Sequence, residues 1–176
     1  MYNREDLGLI LKALEGITGA ALEGLKSTSI DLPKFAEGIK SNLISSLEEA
    51  DRKLSENKIY RESDLKKENI NNRECYIRND IDYNQKDPFG RTNLERMKNG
   101  LCPININGEK IELHHKGQKM DAPLIELTMQ EHRGQGNDTI LHDKQKESEI
   151  DRIKFNNEKI NHWKTRAEII EKRGEF

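Results

Sequence analysis

Residues 111–115, with the sequence Ile-Glu-Leu-His-His, decide how the rest of this chain is interpreted. Apolar and polar side chains alternate here, as they do in a half-buried strand, and the stretch ends in two adjacent histidines. Upstream, Asn107-Gly108 separates it from a second alternating segment, residues 104–106. Asn-Gly between two such segments is the strongest short-range hairpin signal. The sequence therefore predicts a β-hairpin that ends in the histidine pair.

The register of this hairpin predicts where the two histidines point. A two-residue turn at Asn107-Gly108 pairs Ile106 with Glu109, Ile104 with Ile111 and Cys102 with Leu113. Ile104, Ile111 and Leu113 then share a buried face. Because successive strand residues face opposite sides, His115 continues that face and His114 points away from it. The pair is therefore expected to serve two roles.

Capping patterns mark the neighbouring elements. Residues 124–127 form a third short strand, and a Thr128/Glu131 capping box predicts a helix from Met129 that carries His132 and stops at Gly134 and Gly136. Thr92 with Glu95 predicts the same arrangement for residues 93–98, closed by Gly100. The last predicted helix covers about residues 149–172, with a buried stripe formed by Ile150, Ile153, Ile160, Trp163, Ala167 and Ile170.

The first third of the chain indicates helices of another kind. Residues 6–26 show helical periodicity, and a second helix beginning near Asp31 presents the apolar stripe Phe35, Ile39, Leu43, Leu47, Ala50 and Leu54. The two predict a hairpin that serves as a packing arm, an interpretation we favour over a membrane-active segment. Residues 55–80 are polar and indicate a solvated helix end or a linker. We therefore predict a helical arm or linker over 1–70 and a second domain over 71–176.

Composition limits the class of protein. Of 176 residues, 33% are hydrophobic and 35% charged, so the core must be small. The net charge of −2 argues against a nonspecific basic coat for nucleic acid. Cys75 and Cys102 match neither a zinc-ligand spacing nor a disulfide framework and are expected to be reduced thiols. The sequence shows no signal peptide and no apolar run long enough for a membrane span, so an export signal would lie on a longer parent chain.

Four of the five histidines, His114, His115, His132 and His142, fall in one short segment. Neutral imidazole binds zinc and similar ions, and three protein ligands with an open position are typical of a catalytic site. A further histidine can activate water, because its pKa lies near neutrality. For His162, alone beside Trp163, we expect a surface or core role. A structural zinc module is the alternative, but it usually needs four ligands, and Cys102 is predicted to face away from His114.

The ordered set of residues resembles the LHH family of nucleases, in the HNH/endonuclease VII (ββα-metal) superfamily. The resemblance covers about residues 80–170. The residues that carry it are Gly90-Arg91-Thr92-Asn93-Leu94-Glu95-Arg96-Met97, Gly100, Pro103-Ile104, Leu113-His114-His115, Gln118, Leu127-Thr128, Glu131-His132-Arg133, Gly136-Asn137, Leu141-His142, Trp163 and Arg166-Ala167.

The resemblance implies an α+β fold with a ββα-metal core, a small antiparallel sheet, flanking helices and an N-terminal helical region. It implies metal-dependent phosphodiester hydrolysis, with His114 as a ligand of one divalent ion (Zn²⁺, Mg²⁺, Mn²⁺ or Ni²⁺) and His115 as general base. His132 and His142 are the remaining family histidines, and which of them contacts the metal is left open. Gln118 or Asn137 is expected to orient His115.

The resemblance also implies a biological context. LHH nucleases are similar to C-terminal toxin modules of bacterial polymorphic toxins, which are delivered into competing cells and blocked in the producer by an immunity protein. The expectation is a DNase that acts in the target-cell cytoplasm, without stable membrane insertion, with residues 1–70 as the end of a pretoxin segment. An RNase or a non-toxin nuclease of the superfamily is the alternative. Candidate phosphate contacts are Arg91, Lys116, Arg133, Arg152 and Arg166.

Overall fold

The structure is a computed structural model that describes residues 32–134 and 136–175. In this part of the chain there are five α-helices, four strands and one 3₁₀ turn. The elements, in order, are α1 (Leu32–Glu62), β1 (Leu65–Ile70), β2 (Arg73–Arg78), α2 (Asn93–Lys98), β3 (Ile111–His115), the 3₁₀ turn (Lys116–Gln118), β4 (Leu124–Thr128), α3 (Met129–Arg133), α4 (Asn137–Leu141) and α5 (Arg152–Arg173). The predicted α+β class is confirmed.

The strands form one sheet in the order β1-β2-β4-β3. The pairs β1/β2 and β3/β4 are antiparallel, as expected for the ββα core, whereas β2 and β4 run parallel, so the whole sheet is mixed. The long connection between β2 and β4 gives the chain room for the crossover that a parallel pair requires. The β3-β4-α3 run is the ββα unit expected of the fold.

Strand alternation gives the sheet two buried faces. One face carries Ile77, Ile111 and Leu113 and packs against α2 and α5, where Trp163 of α5 joins the same core. The other contains Ile125 and Leu127, with side chains from the end of α1 and from α4 packed on them. On β3, the second face carries Glu112 and His114, which contact α3. The histidine pair therefore straddles the sheet.

The predicted hairpin register is wrong by one residue. Ile104 pairs with Lys110 rather than Ile111, and Asn105 N–H donates to Glu109 O over 2.8 Å. Gly108 adopts a left-handed φ of 78°, so the loop has three residues and ends in a bulge, and Ile106 is exposed at its tip. Because the bulge absorbs one residue, the predicted burial of Ile104, Ile111 and Leu113 is still confirmed.

Of the two interpretations of residues 55–80, the helix end is confirmed up to residue 62, whereas the linker is wrong for the rest of the segment. The segment holds the end of α1 and the β1/β2 hairpin, whose turn residues Asn71 and Asn72 have φ values of 54° and 62°. Asn-Asn is compatible with the positive φ values of a tight hairpin turn, a signal that the surrounding charge obscures. The chain divides into two units between Ala50 and Asp51, and the sheet lies in the second.

The helices near the two ends of the chain match the predictions only in part. The second predicted helix is confirmed as α1, whereas the helix predicted over residues 6–26 and its hairpin lie outside the described residues. Helix α5 starts after the N-cap Asp151. The predicted burial of Trp163, Ala167 and Ile170 is confirmed, whereas that of Ile153, which is exposed, is wrong. Cys75 and Cys102 are free thiols. No helix in the described part of the chain has the length and apolarity needed to cross a membrane.

Candidate metal centre

Three histidines from three different elements meet on one face of the sheet. His114 comes from β3, His132 from α3 and His142 from the C-cap of α4. One nitrogen from each lies within 4.8 Å of the others, and the closest pair, His114 Nδ1 and His132 Nε2, is 3.2 Å apart. The arrangement could hold a metal ion, and it includes both of the histidines whose contact was left open by the sequence.

The local sequence explains how His132 and His142 are brought to this face of the sheet. The Thr128/Glu131 capping box is confirmed and starts α3 directly after β4, so His132 lies one turn from the sheet. Gly136, at φ 82°, then redirects the chain into α4, and His142 caps that helix by donating its N–H to Asp138 O over 3.0 Å. The glycine-containing stretch between His132 and His142 is therefore the turn that brings them together.

A carboxylate lies behind each imidazole. Glu112 Oε2 is 2.6 Å from His132 Nδ1, and Asp138 Oδ1 is 3.0 Å from His142 Nδ1. Glu56, buried near the end of α1, is 3.8 Å from His114 Nε2 and accepts a 2.8 Å hydrogen bond from Gly117 N–H. Carboxylates bonded to the outer nitrogen, as Glu112 and Asp138 are, fix the tautomer and orientation of metal-binding histidines and raise their basicity. Glu56 is near enough to act by charge, but His114 Nε2 has no hydrogen-bond partner among the described residues.

The electrostatics favour the neutral forms of His114 and His132. Burial lowers the pKa of His132 to about 4, and burial likewise lowers the pKa of His114, although Glu56 opposes that shift. Burial alone would raise the pKa of Glu112, but its hydrogen bonds with His132 and Arg133 outweigh burial and lower it. The pair is therefore a neutral histidine beside an ionised carboxylate. A neutral imidazole can offer its lone pair to a metal at neutral pH without first losing a proton.

His115 faces the other side of β3. Its Nε2 lies 2.8 Å from Glu158 Oε2 and 3.3 Å from Arg73 Nη1, and its ring packs 4.5 Å from that of Phe155. Its Nδ1 is buried and has no hydrogen-bond partner among the described residues. Burial lowers the pKa of His115, with Glu158 opposing and Arg73 reinforcing the shift. The different surroundings of His114 and His115 match the predicted split of directions.

All four histidines nevertheless line one cleft of about 1080 Å³. The cleft is bounded by β3, by the region from α3 to the loop after α4, and by the first half of α5. Its lining mixes imidazoles with basic side chains, among them Lys110, Arg133, Lys144, Arg152 and Lys159. The basic side chains of the lining outnumber its carboxylates, which are Glu112, Asp138 and Asp143, so the cleft suits an anionic substrate.

Only two of the five candidate phosphate contacts lie in the cleft. Arg133 and Arg152 line the cleft, although Arg133 is also paired with Glu112. Lys116 borders a separate cavity, with its Nζ over the Tyr60 ring. Arg91 is paired with Asp87 at 2.7 Å. Arg166 is buried and bonded to Glu126, so its guanidinium is not available to a phosphate.

Gln118 and Asn137, the residues expected to orient His115, form hydrogen bonds with other groups. Gln118 accepts a 2.6 Å hydrogen bond from Asp143 N–H, and Asn137 donates to Glu131 O over 2.8 Å. Sequence reasoning missed the carboxylates that do contact the histidines. Glu112 was detectable because it is two residues before His114 on one strand, and Asp138 because it is four before His142. Glu158 and Arg73 reach His115 from distant segments that no local pattern connects.

The comparisons with known proteins agree with this site. Residues 92–169 match the LHH family model, described as "A nuclease of the HNH/ENDO VII superfamily with conserved LHH". The matched segment contains His114, His115, His132 and His142 but neither α1 nor the β1/β2 hairpin. No solved structure matches the chain at a significant level.

Proposed function

We propose, on the premise that residues 92–169 belong to the LHH family of nucleases, that this protein is a metal-dependent endonuclease that hydrolyses phosphodiester bonds in DNA. The observation that carries the proposal is the meeting of His114, His132 and His142 inside the matched segment. A nuclease implies a nucleic-acid substrate, and the basic rim of the cleft is where its backbone would lie.

The donor set supports a divalent metal and narrows its identity. The cluster consists of three imidazoles, and Cys102 is not part of it. Three protein ligands leave a position open for water or substrate, whereas structural zinc sites are closed by four. Imidazole suits Zn²⁺ and Ni²⁺, while Mg²⁺ prefers oxygen ligands. We therefore expect the site to bind Zn²⁺ or Ni²⁺ more tightly than Mg²⁺.

The chain's own residues divide the reaction between them. His114, His132 and His142 would hold the ion, which when bound would polarise the scissile phosphate and stabilise the leaving oxygen. His115, whose pKa burial lowers, lines the same cleft and would accept the proton of the attacking water. Arg152 at the rim would hold the substrate backbone by charge.

We further propose that the nuclease acts as an antibacterial toxin module in the target-cell cytoplasm and is neutralised by a cognate immunity protein. The support is the resemblance to polymorphic-toxin modules. Induced expression of the wild-type chain in a bacterial cytoplasm should reduce viability, and the His115→Ala variant should not. Equal growth with wild-type and variant chains would argue against the toxin role.

The nuclease proposal is tested by incubating wild-type and His115→Ala protein with supercoiled plasmid and with RNA. Zn²⁺, Ni²⁺, Mn²⁺ and Mg²⁺ are added in turn after chelation. We expect metal-dependent DNA cutting that is lost in His115→Ala. If only RNA is cut, the protein is an RNase. If neither nucleic acid is cut and zinc stays tightly bound, the metal has a structural role.

The two neighbouring histidines should fail in different ways. His114→Ala should weaken metal binding measured by isothermal titration calorimetry, because it removes a ligand. His115→Ala should keep metal affinity and lose cutting, because its side chain faces away from the cluster. An equal loss of metal by both variants would show that the division into ligand and base is wrong.

A further inference from the structure

We propose that Arg52 and Gln118 hold Asp143 in place and are thereby positioning residues of the metal centre. Asp143 directly follows His142, so its position decides where that imidazole lies relative to His114. The inference rests on the proposed function, because it concerns the histidine cluster assigned to the metal. Arg52 lies in the part of α1 that belongs to the second unit, outside the segment that matches the family.

Two contacts from different elements meet at Asp143. Its carboxylate forms an ion pair with Arg52 of α1, in which Oδ2 is 2.6 Å from Arg52 Nη1. Its backbone N–H donates to Gln118 Oε1, at the end of the 3₁₀ turn, over 2.6 Å. Lys146 Nζ is farther from the same carboxylate, at 3.8 Å. The residue after His142 is therefore held through both its backbone and its side chain, and we call this arrangement the Asp143 clamp.

His142 needs such support because it lies where the chain leaves a short helix. Helix α4 has five residues, and His142 is its C-cap with extended backbone angles. From His142 to Asp151 the chain forms neither helix nor strand. Asp138, which contacts His142 Nδ1, belongs to the same short helix and moves with it. Asp143 therefore connects the C-terminal side of His142 to α1 and to the 3₁₀ turn.

The backbone of the 3₁₀ turn is held in the conformation that presents Gln118. Gln118 has a φ of 57°, a left-handed value that is uncommon for a residue with a side chain, and Gly117 before it has 61°. Such a conformation persists where the surroundings hold it. Gly117 N–H donates to Glu56 Oε1 over 2.8 Å, and Glu56 lies one helical turn after Arg52 on α1. One side of α1 therefore contacts both the 3₁₀ turn and Asp143.

The clamp joins the segments that follow two of the three clustered histidines. The 3₁₀ turn begins two residues after His114, and the rings of His114 and His142 are 5.2 Å apart. A metal site tolerates errors of only about 0.2 Å in its ligand distances, so the two segments must be fixed relative to each other. Among the described residues, Gln118 and Asp143 line the cleft, whereas Arg52 does not. Arg52 therefore acts through Asp143 rather than on substrate.

Zinc affinity, measured by competition with a chromophoric chelator, tests the role of Arg52 without relying on activity. Arg52→Gln should weaken zinc binding by about 2- to 5-fold, the effect of losing a partly exposed ion pair, and Arg52→Lys should recover part of the loss. Arg61→Gln, exposed on the same helix, is the matched control and should bind zinc like the wild type. Normal affinity in Arg52→Gln would overturn the inference and leave the nuclease assignment standing.

Gln118→Asn tests the other half of the clamp. Asparagine tolerates a positive φ, so the backbone of the turn is kept, but its shorter side chain cannot reach the N–H of Asp143. Zinc affinity should fall by about 2- to 10-fold, as expected for one lost hydrogen bond. Wild-type affinity in this variant would show that the turn does not position His142, and would overturn its part in the clamp.

A His142→Ala background separates positioning from a general effect on the fold. Because the clamp acts through His142, Arg52→Gln should weaken zinc binding no further once that ligand is removed. A further loss of the same size would overturn the positioning role. The expected zinc affinities in a protein that cuts no nucleic acid would support the clamp and contradict only the nuclease assignment. A wild-type protein that binds no zinc would contradict the proposed metal centre itself.

Discussion

At the scale of single residues, the site depends on which nitrogen of each imidazole faces the cluster and which faces a carboxylate. His132 and His142 each direct Nδ1 at a carboxylate, which leaves Nε2 for the cluster, whereas His114 directs Nδ1 inward and Nε2 toward Glu56. Alternation along β3 then sends His115 to different partners. The adjacent residues His114 and His115 therefore lie in two different environments, because neighbouring side chains of a strand point to opposite faces of the sheet.

Glu112→Gln tests the carboxylate behind His132. The substitution keeps the shape but removes the charge that sits 2.6 Å from His132 Nδ1. Zinc affinity measured by calorimetry should fall by roughly 10- to 100-fold, the usual cost of losing such a partner. Glu147→Gln, an exposed carboxylate after α4, is the matched control and should bind zinc like the wild type. Equal affinity in the two variants would contradict this role for Glu112.

At the scale of elements, helices outside the ββα unit complete the site. The end of α1 supplies Glu56, which lies beside His114 and accepts a hydrogen bond from Gly117 just after β3. Helix α5 supplies Glu158 and is anchored on β4 through Glu126. The small β3-β4-α3 unit therefore depends on two distant helices for the groups behind its histidines.

The contribution of α1 can be isolated within one helix. Glu56→Gln should weaken zinc binding several-fold, because His114 Nε2 loses its nearby negative charge. Glu62→Gln, on the same helix but exposed, should leave zinc binding unchanged. Competition with a chromophoric zinc chelator measures both. A normal zinc affinity in Glu56→Gln would show that α1 does not take part in the centre.

The anchor of α5 predicts a pH-dependent stability. Burial would raise the pKa of Glu126, but Arg166 and His162 outweigh it and lower the pKa. A lowered folded-state pKa means that the stabilisation is complete above the unfolded pKa of about 4.3 and is lost as the pH falls through the folded value. Glu126→Gln, which leaves Arg166 without its buried partner, should cost about 3–5 kcal/mol at pH 7.

Denaturant unfolding at pH 7 and at pH 3 measures this difference. The gap between wild type and Glu126→Gln should narrow at the lower pH, because the wild-type carboxylate approaches protonation there. Glu168→Gln, on the exposed side of α5, should follow the wild type at both values. A gap that stays constant with pH would contradict the assignment of Glu126 as an ionised partner.

At the scale of the whole molecule, local signals and long-range pairings were not equally predictable. The capping boxes at Thr92 and Thr128 and the second half of the buried stripe of α5 were correct, because each depends on residues a few positions apart. The parallel β2/β4 pair, the bulge at Gly108 and the contact of Glu158 with His115 were not predicted. Periodicity specifies which face of an element is apolar but not which distant element covers it.

The charge distribution gives a prediction at this scale too. A chain with a net charge of −2 must bind a polyanion through a local patch, and the cleft carries Arg152 and Lys159. In a His115→Ala background, replacing each with Ala should weaken DNA binding and reduce the slope of log K against log salt by about 1 per contact. Lys164→Ala, exposed on α5 away from the described cleft lining, is the control.

Fluorescence anisotropy over a salt series gives these slopes. Slopes that do not change in the Arg152 and Lys159 variants would place the DNA elsewhere on the surface. A change of the same size in Lys164→Ala would indicate binding by the general charge of α5 rather than by the cleft.

The most direct measurement of the central claim is an anomalous difference map at the zinc edge, from crystals of the zinc-loaded protein that cuts DNA in solution. We predict one strong peak bound by His114 Nδ1 and by the Nε2 atoms of His132 and His142, and no zinc peak there in His132→Ala. A peak at other residues, or a site without zinc in a preparation whose cutting is metal-dependent, would contradict the three-histidine centre.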